Sequence, residues 1–241
     1  MNKLTFQIND ISELALQVMK AVINKNEETQ KLTEDGLGPL ALASALSDFF
    51  QISSAIENGQ TLDPEQMAEF GDYGMDLLDR LAYQCRQLDI LDQRETLWRI
   101  YPSLAVWLVR RDAVLDNLEG TADGFAWLVN GLSDKDELAG TCMLMDEVLE
   151  AASEKLMLDE DRGNAWRPWR VLSLNSGIAA TRSLDPQLME SIFEKLGRRL
   201  PYDMAGFLAD GKRQMATQTV PDDVLEVMER YAEKWPTSPA H

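Results

Sequence analysis

The chain of 241 residues is long enough for one large domain or two small ones, and its 45% of hydrophobic residues excludes wholesale disorder. Its 41 acidic and 23 basic residues give a formal net charge of −18. Such a surface repels phosphate backbones and anionic lipid headgroups, so nucleic-acid and membrane partners are not expected. The charge suits a basic partner, or it serves only to keep the protein in solution.

The N-terminus and the two cysteines indicate a cytoplasmic protein. Residues 1–7 lack a basic start followed by an apolar run, so no secretory signal is expected. The longest apolar run, residues 104–109, is far shorter than the roughly 20 residues that a membrane span requires. Cys85 and Cys142 form no CxxC pair and are predicted to be small core residues.

Helical signals recur along the chain, and strand signals are nearly absent. Apolar residues repeat at helical spacing, and proline or an Asp-Pro pair marks several helix starts. The predicted helices span about residues 11–22, 39–58, 64–88, 91–100, 103–111, 123–132, 134–152, 168–181, 186–196, 203–215 and 221–235.

Several residues determine the boundaries of these predicted helices. Asp10 is placed as an N-cap, with a glutamate three residues later to complete a capping box. Gly71 and Gly74 predict an interruption of the third helix, and Pro102 predicts a break after the fourth. Ser133 is predicted to cap the long helix that follows.

This pattern predicts an all-α protein of about ten antiparallel helices, either a helical bundle or an irregular solenoid. The layout resembles helical-repeat proteins in general terms, a likeness that implies no active site. We expect a single domain over residues 1–235, with a two-lobed stack divided near residues 112–133 as the alternative. Residues 236–241 are predicted to form a disordered tail.

Catalytic and metal-binding patterns are sparse. The single histidine, His241, is the last residue, so histidine-dependent nucleophilic or zinc chemistry is not expected. Gly36 and Gly38 lack the strand and lysine of a nucleotide-binding loop, which predicts a plain turn. The acidic loop from Asp159 has Asn164 at the glycine position of a calcium loop, which predicts a solvated connection. We predict no catalytic residue, no metal and no cofactor.

One segment stands out because it joins arginine to tryptophan and lacks acidic residues from Arg162 to Leu184. Tryptophan and arginine are enriched at interface hot spots, since each combines a large contact area with a directional polar group. Helical spacing also places an amide and a guanidinium beside an apolar stripe. The candidate interaction or ligand-binding residues are Trp166, Arg167, Trp169, Arg170, Asn175 and Arg182.

Two functions fit this segment. The first is a non-enzymatic helical scaffold or adaptor that holds a protein partner. The alternative is a small-molecule binding protein or enzyme that surrounds an anionic ligand with arginine, asparagine and tryptophan. Mimicry of a nucleic acid is disfavoured because the carboxylates are dispersed. A structural explanation is also open, in which the arginines pair with carboxylates near residues 159–161 and the tryptophans pack internally.

Overall fold

The computed structural model describes residues 4–33, 38–160 and 162–236. Within these residues the regular structure consists of eleven α-helices, a short 3-10 helix at Leu91–Gln93 and one isolated bridge. The all-α prediction is therefore confirmed. The α-helices are α1 Ile8–Thr29, α2 Pro39–Glu57, α3 Pro64–Gln87, α4 Arg94–Val109, α5 Glu119–Gly131, α6 Lys135–Glu150, α7 Glu154–Met157, α8 Pro168–Ser183, α9 Pro186–Arg199, α10 Met204–Met215 and α11 Asp222–Lys234.

The chain divides into two compact units. The first consists of Met1–Gly124 with Ala151–Leu156, and the second consists of Phe125–Glu150 with Met157–His241. The single domain expected over residues 1–235 stays a prediction. Gly36 of the predicted turn and residues 237–241 of the predicted tail lie outside the described residues. Among the described helices, none is both long enough and apolar enough to cross a membrane.

The core of the first unit forms where α1 packs against α2 and α4 and where α3 packs against α2 and α4. Phe49 and Trp107 are among its largest fully buried side chains. Removing a side chain of this kind from water stabilises the fold by about 1.5–3 kcal/mol. The buried residues of α1 recur at helical spacing and are Ile8, Ile11, Ala15, Val18, Met19 and Val22.

α3 is continuous through Gly71 and Gly74, so the predicted interruption is wrong. Glycine is used here for close packing and not to end the helix. A β-carbon at position 74 would lie 2.3 Å from Cζ of Phe49. The missing side chain therefore leaves room for the phenylalanine ring of α2 directly against the backbone of α3.

α4 likewise continues through Pro102, so the predicted break is wrong. Proline cannot donate the helical hydrogen bond to the carbonyl four residues earlier, which belongs to Trp98. Gly124 packs against that carbonyl, because a β-carbon at position 124 would lie 2.4 Å from the Trp98 oxygen. Pro102 is itself buried, so tertiary packing offsets the lost hydrogen bond.

Two predicted caps are also wrong. α1 begins earlier than expected, with Gln7 as its N-cap. Asp10 instead lies in the first turn, where a negative charge complements the helix macrodipole. At α6 the capping side chain is that of Asp134 and not that of Ser133, because Asp134 Oδ1 accepts from the Glu137 N–H at 2.9 Å.

The end of α6 differs from the prediction as well. The helix ends at Glu150, and Ala152 pairs with Leu115 in the isolated parallel bridge. The Leu115 N–H donates to the Ala151 carbonyl at 2.9 Å, and the Ser153 N–H donates to the Leu115 carbonyl at 2.9 Å. The short helix α7, which follows the bridge, is absent from the sequence prediction.

In the second unit, α8 packs along α6 and contacts α9 and α10, while α11 covers α9 and α10. Phe193 lies at the centre of an aromatic cluster, with ring centroids 5.5 Å from Phe207 and 5.3 Å from Tyr231. The predicted Asp-Pro start of α9 is confirmed, because Asp185 Oδ1 accepts from the Leu188 N–H at 3.0 Å. These contacts fix the helices that carry the candidate residues.

Candidate functional site

Arg167 anchors the segment that joins α7 to α8. Its Nη2 donates to Asp159 Oδ2 at 2.8 Å, and its Nε donates to Oδ1 of the same carboxylate. Its Nη1 donates to the Asn164 carbonyl at 3.0 Å. The side chains of Arg167 and Asp159 are only 10% and 9% exposed. The expectation of a solvated loop is therefore wrong at Asp159, and this forked pair holds the segment in place.

Arg170, in the first turn of α8, is held by a second carboxylate. Its Nε donates to Asp203 Oδ1 at 2.6 Å, and its Nη1 donates to the Ala165 carbonyl at 2.9 Å. Asp203 Oδ2 also lies 3.7 Å from Arg167 Nη2. Asp203 therefore links the two arginines, and both guanidinium charges are compensated within the protein.

The two tryptophans of the segment have opposite environments. Trp169 is 4% exposed, whereas Trp166 is 85% exposed. Trp169 therefore contributes to the core, with the guanidinium carbon of Arg199 lying 6.0 Å from its ring centroid. An exposed tryptophan leaves a large apolar surface in water, so Trp166 is the one placed to contact a partner.

The side chains of Asn175 and Arg182 both donate hydrogen bonds to backbone carbonyls of helices. Asn175 Nδ2 donates to the Val171 carbonyl one turn earlier in α8, at 2.8 Å. Arg182 Nη1 donates to the Val129 carbonyl at 2.5 Å, and its Nη2 donates to the Leu132 carbonyl. The last carbonyls of a helix lack intrahelical donors, so Arg182 caps the C-terminal end of α5.

Five arginines line one cavity of about 510 Å³ in the second unit, which we call the arginine cleft. Only two carboxylates share its lining, although the chain as a whole is strongly acidic. The last turn of α9 supplies Arg198 and Arg199, which the sequence analysis missed although they form an adjacent basic pair. The charged lining residues are Asp159, Arg162, Arg167, Arg170, Arg198, Arg199 and Asp203.

Arg162 and Arg198 lie at the exposed rim of the arginine cleft. Neither forms an ion pair within residues 4–33, 38–160 and 162–236. The guanidinium carbon of Arg162 lies 5.1 Å from the ring centroid of Tyr202, and its Nε donates to the Asp159 carbonyl at 3.2 Å. The rim therefore presents two guanidinium charges that no described carboxylate compensates at contact distance.

Exposed apolar side chains line the same cleft as these rim charges. Leu158 is 62% exposed and Tyr202 is 79% exposed, and both line the arginine cleft together with the partly exposed Met157. Trp166 precedes the cleft residue Arg167 in the chain. Large aromatic and aliphatic groups beside arginine are the composition typical of interface cores.

A second cavity, of about 380 Å³, adjoins the arginine cleft between α8 and α10, and we call it the α8–α10 groove. Both cavities are lined by Arg170, Tyr202 and Asp203. The groove is more apolar than the cleft, since its walls include Ile178 and Phe207. Five residues of the predicted segment line it, namely Arg170, Leu174, Ile178, Thr181 and Arg182.

A third cavity, of about 270 Å³, meets the arginine cleft on the α9 side, and we call it the lysine pocket. It shares Arg198 and Arg199 with the cleft and adds Lys195. Burial acts to lower the pKa of Lys195, but the hydrogen bonds and charges of Asp146 and Glu150 outweigh it and raise the pKa. Lys195 is therefore positively charged at neutral pH.

The first unit contains a different cavity, of about 380 Å³, beside a set of residues that we call the Tyr101 network. Tyr101 Oη donates to Asp79 Oδ1 at 2.6 Å, and Asn117 Nδ2 donates to Asp79 Oδ2 at 2.6 Å. Burial, together with the nearby Asp79 carboxylate, raises the pKa of Tyr101. No sequence signal marks this network, because Asp79 and Asn117 are 38 positions apart and share no motif.

The chemistry of the arginine cleft is that of anion recognition, because guanidinium groups provide forked donors and positive charge. Among the described residues, no group of three or more acidic, histidine or cysteine side chains is arranged to hold a metal ion. Burial raises the pKa of Cys85 and of Cys142 to about 12. Both thiols are therefore protonated at neutral pH and are poor nucleophiles.

Comparison with protein-family models, with curated proteins and with solved structures gives no match. The class of protein is thus defined by its all-α fold and by its local surface chemistry. The feature that points to a function is the arginine cleft, with the exposed Tyr202 in its lining and the exposed Trp166 between two of its lining residues in the sequence.

Proposed function

We propose that the protein is a non-enzymatic interaction scaffold or adaptor that binds a protein partner through the arginine cleft and its rim. The observation that carries this proposal is the combination of exposed Trp166 and Tyr202 with the rim guanidiniums of Arg162 and Arg198. Tryptophan, tyrosine and arginine supply most of the binding energy at protein interfaces, because they bury large areas and form directional hydrogen bonds.

The floor of the arginine cleft supports this function because it is fixed within the protein itself. Asp159 holds Arg167, and Asp203 holds Arg170. A surface that is already ordered loses less conformational entropy when a partner binds. The floor thus provides a fixed shape, and the rim provides the groups available for contact.

Binding of a small anionic ligand is the alternative function for the same cleft. A cavity of about 510 Å³ falls within the range of small-molecule sites, and carboxylates on such a ligand would meet forked donors. The 85% exposure of Trp166 favours a macromolecular partner. An anion enclosed by the arginines would leave this ring in water, whereas a protein surface would cover it.

Affinity purification from the native cell tests the proposal. Wild-type protein is compared with the Trp166→Ala, Arg198→Glu double variant after the fold of each has been checked by circular dichroism. The matched control is Tyr83→Ala with Arg80→Glu, which makes similar changes at exposed residues of the first unit. We expect one partner that co-purifies with the wild type and the control and is lost from the rim variant.

The outcomes of this comparison are distinct. A partner that is retained by the rim variant, or lost equally from the control, would show that the arginine cleft is not the interface. A thermal-shift screen with anionic metabolites addresses the alternative function. Stabilisation by a metabolite, without any co-purifying protein, would support the small-ligand function over the scaffold.

A further inference from the structure

The three cavities of the second unit are neighbours that share lining residues, and we call the surface that they form together the track. The α8–α10 groove and the arginine cleft share Arg170 and Tyr202. The arginine cleft and the lysine pocket share Arg198 and Arg199. The cleft is therefore the middle part of a longer surface that runs from the groove to the lysine pocket.

The chemistry changes along this track. At the groove end, Leu174, Ile178 and Phe207 provide partly exposed apolar walls. At the opposite end, Lys195 joins the arginines of the last turn of α9, and Glu150 of the same lining pairs with Lys195 and Arg199. A matching occupant is apolar along one part and negatively charged along the next, because each part of the track then meets complementary groups.

We propose that the track binds an acidic peptide segment of the partner protein. The apolar side chains of the peptide occupy the α8–α10 groove, and its carboxylates bind the rim guanidiniums of Arg162 and Arg198. This inference rests on the proposed function, because it identifies the part of the partner that docks. Asp159 and Asp203 already pair with Arg167 and Arg170 in the cleft, which leaves the rim guanidiniums for the carboxylates of the peptide.

A peptide fits the track better than a small anion does. A small anion would fill the arginine cleft and leave the apolar groove empty, whereas an extended chain advances about 3.3–3.6 Å per residue and passes through successive cavities. The net charge of −18 on the chain does not prevent an acidic peptide from binding to the arginines that it contacts. Charges farther away than about 8 Å are largely screened at physiological ionic strength.

Peptide display against the intact protein tests the chemistry of the occupant, with a random peptide library as the probe. We expect the selected peptides to be enriched in glutamate or aspartate next to apolar residues, relative to the unselected library. This enrichment is expected to disappear with the Arg162→Glu, Arg198→Glu double variant. It is expected to persist with Arg80→Glu, a charge reversal at one exposed arginine of the first unit.

Fluorescence anisotropy then measures one selected peptide and its variants. Replacing the acidic residues by glutamine or asparagine is expected to weaken binding at least about tenfold, because charge-assisted hydrogen bonds to guanidinium groups are lost. The Ile178→Ser variant is expected to weaken binding severalfold, and only for peptides that retain their apolar residues.

The inference is overturned if the display enriches no peptides, or if the enriched peptides are not richer in acidic residues than the unselected library. It is also overturned if the amide replacements leave the affinity of the selected peptide unchanged. If affinity purification still gives a partner that requires Trp166 and Arg198, only the acidic-peptide inference fails and the proposed function stands. Selection of no peptide, together with self-association through the rim, would identify a second copy of the chain as the occupant and would also overturn the inference. If citrate raises the melting temperature of the protein in the thermal-shift screen and no protein partner co-purifies, both proposals are overturned.

Discussion

The Tyr101 network of the first unit and the arginine cleft of the second unit both place charged groups beside a cavity, but their polar groups have different partners. In the network, Asp79 accepts hydrogen bonds from Tyr101 and Asn117 through its two oxygens. In the cleft, the rim guanidiniums of Arg162 and Arg198 form no ion pair within the described residues. The Asp79 carboxylate is therefore satisfied from within the protein, whereas the two rim guanidiniums are not paired with a described carboxylate.

This difference separates residues that stabilise the fold from residues that are available to a ligand. A buried polar group that is satisfied from within contributes to a unique packed structure, and its loss is costly. An exposed charge in water contributes little to the free energy of unfolding. Substitutions in the network and in the floor of the cleft are therefore expected to lower stability, and substitutions at the rim are expected to affect binding alone.

Among the polar substitutions, the largest effect on stability is expected from Arg167→Met in the floor of the cleft. This substitution leaves Asp159 as a buried carboxylate without its forked partner. Breaking a buried ion pair from one side costs about 3–5 kcal/mol. Urea unfolding followed by circular dichroism measures the change.

The matched control is Arg162→Met at the exposed rim of the same cleft. We expect this variant to change the free energy of unfolding by less than about 0.5 kcal/mol. Equal effects of the two substitutions would show that the floor and the rim do not differ as described.

A smaller loss is expected from Gly120→Ala, which crowds the Tyr101 network. A β-carbon at position 120 would lie 2.3 Å from Cε1 of Tyr101, whose ring is buried and held by Asp79. Overpacking of this kind costs about 1–3 kcal/mol.

At Gly140, in the middle of α6, a β-carbon meets nothing within 4 Å. Gly140→Ala is therefore expected to raise the melting temperature, and a rise for both variants would mean that the Tyr101 ring is free to move.

The helical class was predictable from the sequence because its signals are local. Apolar spacing and an Asp-Pro pair mark a helix without reference to the rest of the chain, as at Asp185. The effects of Gly74 and Pro102 were not predictable, because they depend on distant packing partners. Gly74 accommodates the ring of Phe49, and Pro102 packs near the backbone of Gly124.

The candidate site was predictable in part. The unusual composition of residues 162–184 pointed to the same part of the chain as the candidate cavity, since Arg167 and Arg170 line the arginine cleft. The sequence did not reveal that α9 and the start of α10 supply Arg198 and Asp203 to the same cavity. A pattern along one helix carries no information about which other segments fold against it. For the same reason, Arg182 was indistinguishable from a surface arginine before its role as a helix cap was known.

A still smaller effect, which depends on pH, is expected from Tyr101→Phe. Loss of the hydrogen bond to Asp79 lowers the free energy of unfolding by about 1–2 kcal/mol near neutral pH. Burial, with the charge of Asp79, raises the pKa of Tyr101 in the folded protein, whereas an unfolded tyrosine has a pKa of about 10. Above that pH the unfolded chain binds fewer protons than the folded protein, so the stabilising contribution of Tyr101 falls as pH rises.

Phenylalanine has no proton to lose, so the stability difference between wild type and Tyr101→Phe is expected to shrink from about pH 8 to about pH 10.5. Urea unfolding at the two pH values measures this change. Tyr231, whose pKa is also raised, to about 12, is present in both proteins and cancels in the difference. If the difference in the free energy of unfolding between the two proteins is the same at both pH values, then the pKa of Tyr101 is not raised in the folded protein.

The smallest effect on stability is expected from Trp166→Ala at the rim. Trp166 is 85% exposed, so its removal is expected to change the free energy of unfolding by less than about 0.5 kcal/mol. Trp169, three positions later and 4% exposed, is the matched control, and Trp169→Ala is expected to cost about 3–5 kcal/mol. If Trp166→Ala is as destabilising as Trp169→Ala, then Trp166 is packed in solution and does not serve as a contact residue. If Trp166→Ala folds normally and loses the partner, recognition and packing are separated by only three positions of the chain.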